Sequence, residues 1–279
     1  MTGASKSHPA PATSDEGINA ALPWILRAGL AGCYIGHGAF GIITKAAWVP
    51  YFAVAGVGEP SAWQLMPWIG AMDMTMGLLV LAWPCRALFL WATVWTFWTA
   101  LLRPLSGESC WEFWERAGNY GVPFAIIAIV GWRGALMTRL PAPWPDLADG
   151  AVRARIAWIL RLVTVALLAG HGGCTLMEAN ASFARNYAAI WPHGPADAVP
   201  LAGILDLVLA AGVLLRPSTA LLVGVCAWKL ATENLFLLAG SPAWEVIERL
   251  GSYTAPLGLA FLLARERAAT SDTKPSPAV

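Results

Sequence analysis

The feature that most constrains this chain is an internal repeat. Trp24-Ile25-Leu26-Arg27 recurs unchanged as Trp158-Ile159-Leu160-Arg161, and ten residues after each arginine stands Gly-His-Gly, around His37 and then His171. Gly70-x-x-Asp73 matches Gly203-x-x-Asp206, and a proline follows each aspartate by eleven residues, Pro84 and Pro217. The strongest match closes each copy: Trp111 to Tyr120 before Pro123, and Trp244 to Tyr253 before Pro256, share W-E-x-x-E-R-x-G-[NS]-Y-x-x-P. The offset is 134 at the histidines and 133 from the aspartates onward, so one residue is missing from the second copy between those points. This many matches in register exclude chance, and the chain is one structural unit used twice.

Each copy contains four apolar stretches. They lie near 22–44, 65–83, 87–102 and 109–131, then near 156–177, 200–215, 219–239 and 242–264. Only 13% of the residues are charged and 57% are hydrophobic, where a soluble domain carries about 25% charged residues. Too little polar surface remains for water, so lipid is the expected solvent for most of the chain. Sixteen tryptophans agree, because the indole ring collects at membrane interfaces. A net charge of +1 gives no general attraction to nucleic acid. The expectation is an all-α membrane protein of eight transmembrane helices in two four-helix repeats. An even number of spans per copy makes the repeats parallel, related by a pseudo-two-fold axis along the membrane normal.

The predicted organisation is a disordered cytoplasmic N-terminus over 1–20, a first repeat over 21–133, a cytoplasmic linker over 134–155, a second repeat over 156–264 and a disordered tail over 265–279. The N-terminal segment lacks the basic stretch and cleavage site of a signal peptide. Lysines and arginines divide twelve against five in favour of the side holding both termini, which places both in the cytoplasm of an inner (plasma) membrane. The loops 45–64 and 178–199 then face outward and carry aromatics that could fold back as lids.

Ionisable residues inside spans are costly and need a reason. His37, Asp73 and Glu115 fall roughly 9–12 Å inside the outer ends of three different helices at 1.5 Å per residue. His171, Asp206 and Glu248 repeat the set. Arg116 and Arg249 adjoin the glutamates, and Tyr120 and Tyr253 stand about one turn deeper. Such a set suits an outward-facing polar pocket, where a carboxylate orients a histidine that can relay protons or hydrogen-bond a quinone-like carbonyl. A His–Asp–Glu set can also hold a divalent cation, but no metal is expected. His171-x-x-Cys174-x-x-Met177 has the donors of a soft-metal run, yet the first copy has Phe40 opposite Cys174.

Structural roles compete for the same residues. Ser109-x-x-Glu112 is a capping box, and Ser241-Pro242 reads as an N-cap followed by proline at the first helical position. Glu112 with Arg116, and Glu245 with Arg249, are i,i+4 ion pairs in the favourable order. The paired histidines and aspartates could simply link helices. Trp91, Trp95 and Trp98 form a stripe suited to packing or lipid contact. One feature breaks the repeat: Lys229 and Glu233, four apart on the seventh span, replace Thr96 and Ala100. They should pair with each other or across the bundle, and they make the two copies unequal.

The run Gly36-His37-Gly38 to Lys45, the following span with Gly70-x-x-Asp73, and a third span ending Arg103-Pro104 resemble the DoxX-type four-helix membrane unit, present here twice over about 24–133 and 158–264. Lys45 lies farther from His37 than in that pattern, Ala179 replaces it in the second copy, Asp replaces the usual Glu, and the W-E-x-x-E-R-x-G motif is outside the family's core. The resemblance implies a redox-associated membrane subunit linked to quinone-coupled sulfur or thiol oxidation, with other subunits of a redox complex as its partners. Two other readings stand beside it: a small-solute or proton-coupled transporter with its site between the repeats, and a non-catalytic accessory or scaffold subunit. No catalytic motif fixes a reaction. For the transporter, no broken-helix pair is visible in the sequence, Pro123 and Pro256 being the nearest candidates.

Overall fold

The computed structural model describes residues 14–177, 181–191 and 195–272. The chain is all-helical, with no strand among the described residues. The helices are α1 (Ser14–Ile42), α2 (Val49–Val54), α3 (Glu59–Ala82), α4 (Arg86–Leu105), α5 (Cys110–Glu115) and α6 (Ala117–Val130). They continue as α7 (Gly150–Met177), α8 (Ala181–Ala188), α9 (Pro195–Leu215), α10 (Thr219–Leu238), α11 (Trp244–Ile247) and α12 (Leu250–Asp272). Each of the eight apolar stretches of the sequence is largely helical. Three helices, Glu59–Ala82, Ala198–Leu215 and Thr219–Leu238, are long and apolar enough to cross a membrane, and Ala117–Val130 is a shorter apolar helix.

Four helices, α1, α6, α7 and α12, pack together at the centre, and α3, α4, α9 and α10 lie outside them. The outer helices turn large apolar side chains away from the protein, among them Trp68, Leu78, Val94, Leu201, Val208 and Val223. An apolar surface this extensive on a folded chain is suited to lipid rather than water. The core is built from Leu22, Leu26, Leu30, Ile126, Ile156, Leu160, Leu167 and Leu259, all buried.

The repeated Trp-Ile-Leu-Arg motif now has a physical role. Arg27 is buried and its Nε donates to the Val80 carbonyl at 2.9 Å, while its Nη2 donates to Leu81. Arg161 donates in the same manner to Val213, at 3.0 Å, and to Leu214. Each arginine thus satisfies carbonyls left open at the C-terminal end of α3 or α9, where the helix dipole favours a cation. Trp24 and Trp158 cover the guanidinium groups, with ring centroids 4.2 and 4.4 Å away.

Several expectations are corrected. The stretch 109–131 is two helices, broken at Arg116, and 242–264 is broken at Glu248–Arg249. Pro123 and Pro256 sit inside α6 and α12 instead of at the breaks. Helix, not disorder, covers 14–20 and 265–272. Residues 1–13 and 273–279 lie outside the described residues. Ser241 and Pro242 do not open the last segment, because α11 starts at Trp244 behind Ala243. Ser109 does cap α5, accepting from the Trp111 N–H, but Glu112 turns to arginine instead of completing the box. The linker between the halves packs against them: Trp144 and Leu147 are buried, and Leu140 N–H donates to the Pro84 carbonyl at 2.7 Å.

Candidate functional site

Each broken segment docks against the opposite half. Gly170 on α7 lets the backbone of Trp114 and Glu115 come so close that a Cβ there would sit 2.0 Å from the Glu115 nitrogen. Gly36 on α1 receives Glu248 in the same way, its Cβ position lying 2.4 Å from that residue's nitrogen. Gly118 and Gly251 meet backbone to backbone between these contacts. Gly36 and Gly170, just before the histidines, are therefore required by close approach of the other half's chain, whereas Gly38 and Gly172, just after them, receive α3 and α9 of their own half.

This docking exchanges partners between the halves. His37 Nε2 lies 3.6 Å from Glu248 Oε2, and His171 Nε2 lies 3.5 Å from Glu115 Oε1. Lys45 reaches Glu245 at 2.9 Å. The expected His–Asp–Glu set within one copy does not form, because α5 and α11 leave their own copy's first helix and pack on the other's. Asp73 instead accepts a hydrogen bond from the Trp95 indole at 2.9 Å, and Asp206 from Trp228 at 2.8 Å. Trp95 is thus a polar partner at the site, beyond the packing role its stripe suggests. The Arg116 Nη1 donates to Glu112 at 2.6 Å and Glu115 at 3.0 Å; the Arg249 Nη1 donates to Glu245 and Glu248 at the same two distances.

Tyr120 and Tyr253 stand apart from these groups. Tyr120 stacks on Phe113, with centroids 5.0 Å apart, and its buried hydroxyl has no hydrogen-bond partner among the described residues. The Tyr253 hydroxyl faces the Val246 carbonyl at 3.5 Å.

The halves differ where the sequence does. In the first half a cavity of about 280 Å³ is lined by His37, Asp73, Trp95, Arg103, Arg116 and Tyr34, among others. Thr96 and Ala100 form part of its wall. Tyr34 is fully buried, and its hydroxyl has no hydrogen-bond partner among the described residues. α3 and α4 barely touch, and from them Leu65 and Trp98 line the cavity while staying partly exposed on the outer surface. Loop 45–64 folds over the cavity: Trp48 lies on the His37 ring at 5.2 Å, and Tyr51 donates its hydroxyl to Glu108. Burial is the main cause that raises the Tyr51 phenol above its ordinary pKa, which keeps it a donor.

In the second half Lys229 and Glu233 fill the corresponding space. Their charged groups lie 3.0 Å apart, and Glu233 also meets His171 at 3.2 Å and Arg249 Nε at 3.1 Å. Only about 10 Å³ remains, between His171, Glu233, Asn186 and Tyr187. That is room for about one water.

Glu112, Glu115 and Cys174 bring ligating atoms within 4.8 Å of one another, but Arg116 already occupies both carboxylates. His171, Cys174 and Met177 do not converge, since Met177 points outward at 73% exposure while Cys174 is fully buried. Sequence reasoning passed over Tyr34, Trp48 and Arg103. Tyr34 and Arg103 had a visible signal, as polar residues where the second copy has Leu168 and Phe236.

Comparison with protein-family models, with curated proteins and with solved structures returned no match.

Proposed function

We propose that this chain is a multi-pass inner-membrane protein of eight spans, built from two parallel four-helix repeats with both termini cytoplasmic. Its first half binds a lipophilic, carbonyl-bearing ligand of the quinone class, as a redox-associated subunit. The observation that carries the ligand reading is the cavity beside His37, with the buried, unpartnered hydroxyl of Tyr34. An unmet buried donor costs about 1–3 kcal/mol, and an acceptor oxygen on a ligand would remove that cost. The cavity is near the lower end of the roughly 300–1,000 Å³ usual for small-ligand sites. Its lining residues Leu65 and Trp98, on the sparsely packed helices α3 and α4, are also exposed on the apolar outer surface, which suits a ligand dissolved in lipid. The duplication is supported by the matched arginine caps, the matched tryptophan–aspartate bonds and the reciprocal histidine–glutamate pairs. The resemblance to the DoxX-type unit points the same way for the redox role.

The test is to purify the protein in mild detergent, extract bound lipids and identify quinones by mass spectrometry, then titrate a short-tailed quinone by quenching of tryptophan fluorescence. Wild type should carry or bind one quinone. Tyr34→Phe should weaken binding about tenfold, equivalent to about 1.4 kcal/mol, without lowering stability, because it deletes an unpaired hydroxyl. A protein that neither carries nor binds quinone would sink the reading.

A transporter is the second reading, favoured by the breaks at Arg116 and Glu248–Arg249. Paired helix breaks supply transporters with free backbone groups for ion or solute sites. Unchanged uptake into liposomes across a panel of solutes and proton gradients would count against it.

A further inference from the structure

Resting on the ligand reading above, we infer that the second half displays in its own side chains what the first half takes from its ligand: an acceptor oxygen beside Ala100, on a neutral molecule, bound once per chain. In the aligned copies Ala100 stands at the position of Glu233, and Thr96 at that of Lys229. The Glu233 carboxylate is held by Arg249 Nε at 3.1 Å and His171 Nε2 at 3.2 Å. Their counterparts, Arg116 and His37, both line the first-half cavity.

Arg116 has the same two neighbouring carboxylates as Arg249 but lacks the third. Its bonds to Glu112 and Glu115 both leave from Nη1, and Nε has no hydrogen-bond partner among the described residues. The cavity therefore offers two donors: Arg116 Nε, whose counterpart in the second half faces the Glu233 carboxylate at 3.1 Å, and the Tyr34 hydroxyl, which has no hydrogen-bond partner among the described residues.

Charge decides which acceptor fits. Glu233 arrives together with Lys229, and the pair adds no net charge. The first half lacks both. Arg103 lies where the second half has Phe236, but it is committed to Glu108 at 3.1 Å, with Glu112 3.8 Å away. Asp73 lines the same cavity as a further acid. An anionic ligand would meet one carboxylate, Asp73, and two guanidiniums, Arg103 and Arg116, each already paired with two carboxylates outside the lining, whereas an uncharged carbonyl satisfies the donors without adding charge. The preferred ligand is thus the neutral, oxidised carbonyl form, and the second half is closed to it by Lys229 and Glu233.

The experiment compares a decyl-substituted benzoquinone with dodecanoate, in the full-length protein in nanodiscs, by tryptophan quenching and by native mass spectrometry for stoichiometry. Wild type should bind one quinone and bind dodecanoate at least tenfold more weakly. Thr96→Lys, which installs the missing cation, should shift that preference at least tenfold toward the carboxylate. The double variant Thr96→Lys/Ala100→Glu should stay folded, as the second half does with the same pair, and bind neither. Lys229→Thr/Glu233→Ala should bind a second quinone. Equal affinity of wild type for both probes, or a Thr96→Lys variant with unchanged preference, overturns the inference and leaves the quinone cavity standing. Wild type that binds no quinone at all overturns the reading beneath it.

Discussion

A methyl group added at Gly170 would sit 2.0 Å from the backbone nitrogen of Glu115, a contact no side-chain rotation relieves. Gly170→Ala should therefore lower stability by about 1–3 kcal/mol, as overpacking does. Gly224 has nothing within 4 Å of its Cβ position and lies inside α10. Gly224→Ala should instead raise stability by up to about 1 kcal/mol through helix propensity. Thermal unfolding followed by circular dichroism in detergent checks both, and equal effects would show that the close approach at Gly170 is not a constraint. Lys229 and Glu233 are each 1% exposed. Glu233→Ala should cost about 3–5 kcal/mol by leaving a buried ammonium without its partner, and adding Lys229→Met should recover part of that loss. Fully additive losses in the double variant would refute the coupling. At this scale most site residues were visible in the sequence, since His37, Arg116, Lys229 and Glu233 are conspicuous in apolar surroundings. Their partners were not. Glu248 is 211 positions from His37, and nothing local says that α11 packs on α1.

The helix breaks are the element-scale feature with the most consequence. Arg116 donates to the carbonyl of Glu112 at 2.9 Å, and Arg249 to that of Glu245 at 2.7 Å. Each guanidinium thus binds one backbone carbonyl and two carboxylates at the end of a short helix. Lysine keeps the charge, but its ammonium is strongly hydrated and rides on a flexible stem, so it is less suited to holding these buried acceptors. Arg116→Lys should speed amide exchange at Ala117–Tyr120, the first turn of α6, by at least tenfold and lower the unfolding temperature. Unchanged exchange there would mean that the break is held by packing alone. The sequence shows where the apolar stretches lie because composition and period are local properties. It hides the breaks because Trp-Glu-x-x-Glu-Arg is a good helical sequence on its own. The interruption comes from the Gly118–Gly251 crossing and the neighbouring docking contacts, which exist only once both halves are folded. The loop over the cavity was legible as aromatic, but its seating on His37 depends on Tyr51 meeting Glu108 across the fold.

At the scale of the whole molecule, the sequence repeat and the physical asymmetry make separable claims. In the proposed arrangement, eight crossings with an even number per copy place corresponding points of the two halves on one face of the membrane. Cys110 opens α5 and is exposed, and position 243, its counterpart in the aligned second copy, is an exposed alanine. Ala135 is exposed in the segment joining the halves. In intact cells a membrane-impermeant maleimide should label Cys110. In a Cys110→Ser background it should label Ala243→Cys equally fast, while Ala135→Cys should react only after the membrane is opened. Labelling of Ala135→Cys from outside would reverse the orientation derived from the lysine and arginine bias. Protection of Ala243→Cys alongside a reactive Cys110 would make the halves antiparallel and remove the parallel repeat. The three sites lie on surface segments and not in the Arg116–Glu115 and Arg249–Glu248 pairings, so the substitutions should leave the fold intact. The same labelling experiment, repeated with Ala100→Glu and Thr96→Lys in place, then tells whether closing the cavity alters topology or only the ligand site. An unchanged pattern is expected, because the second half carries that pair already and keeps its helices in the same arrangement.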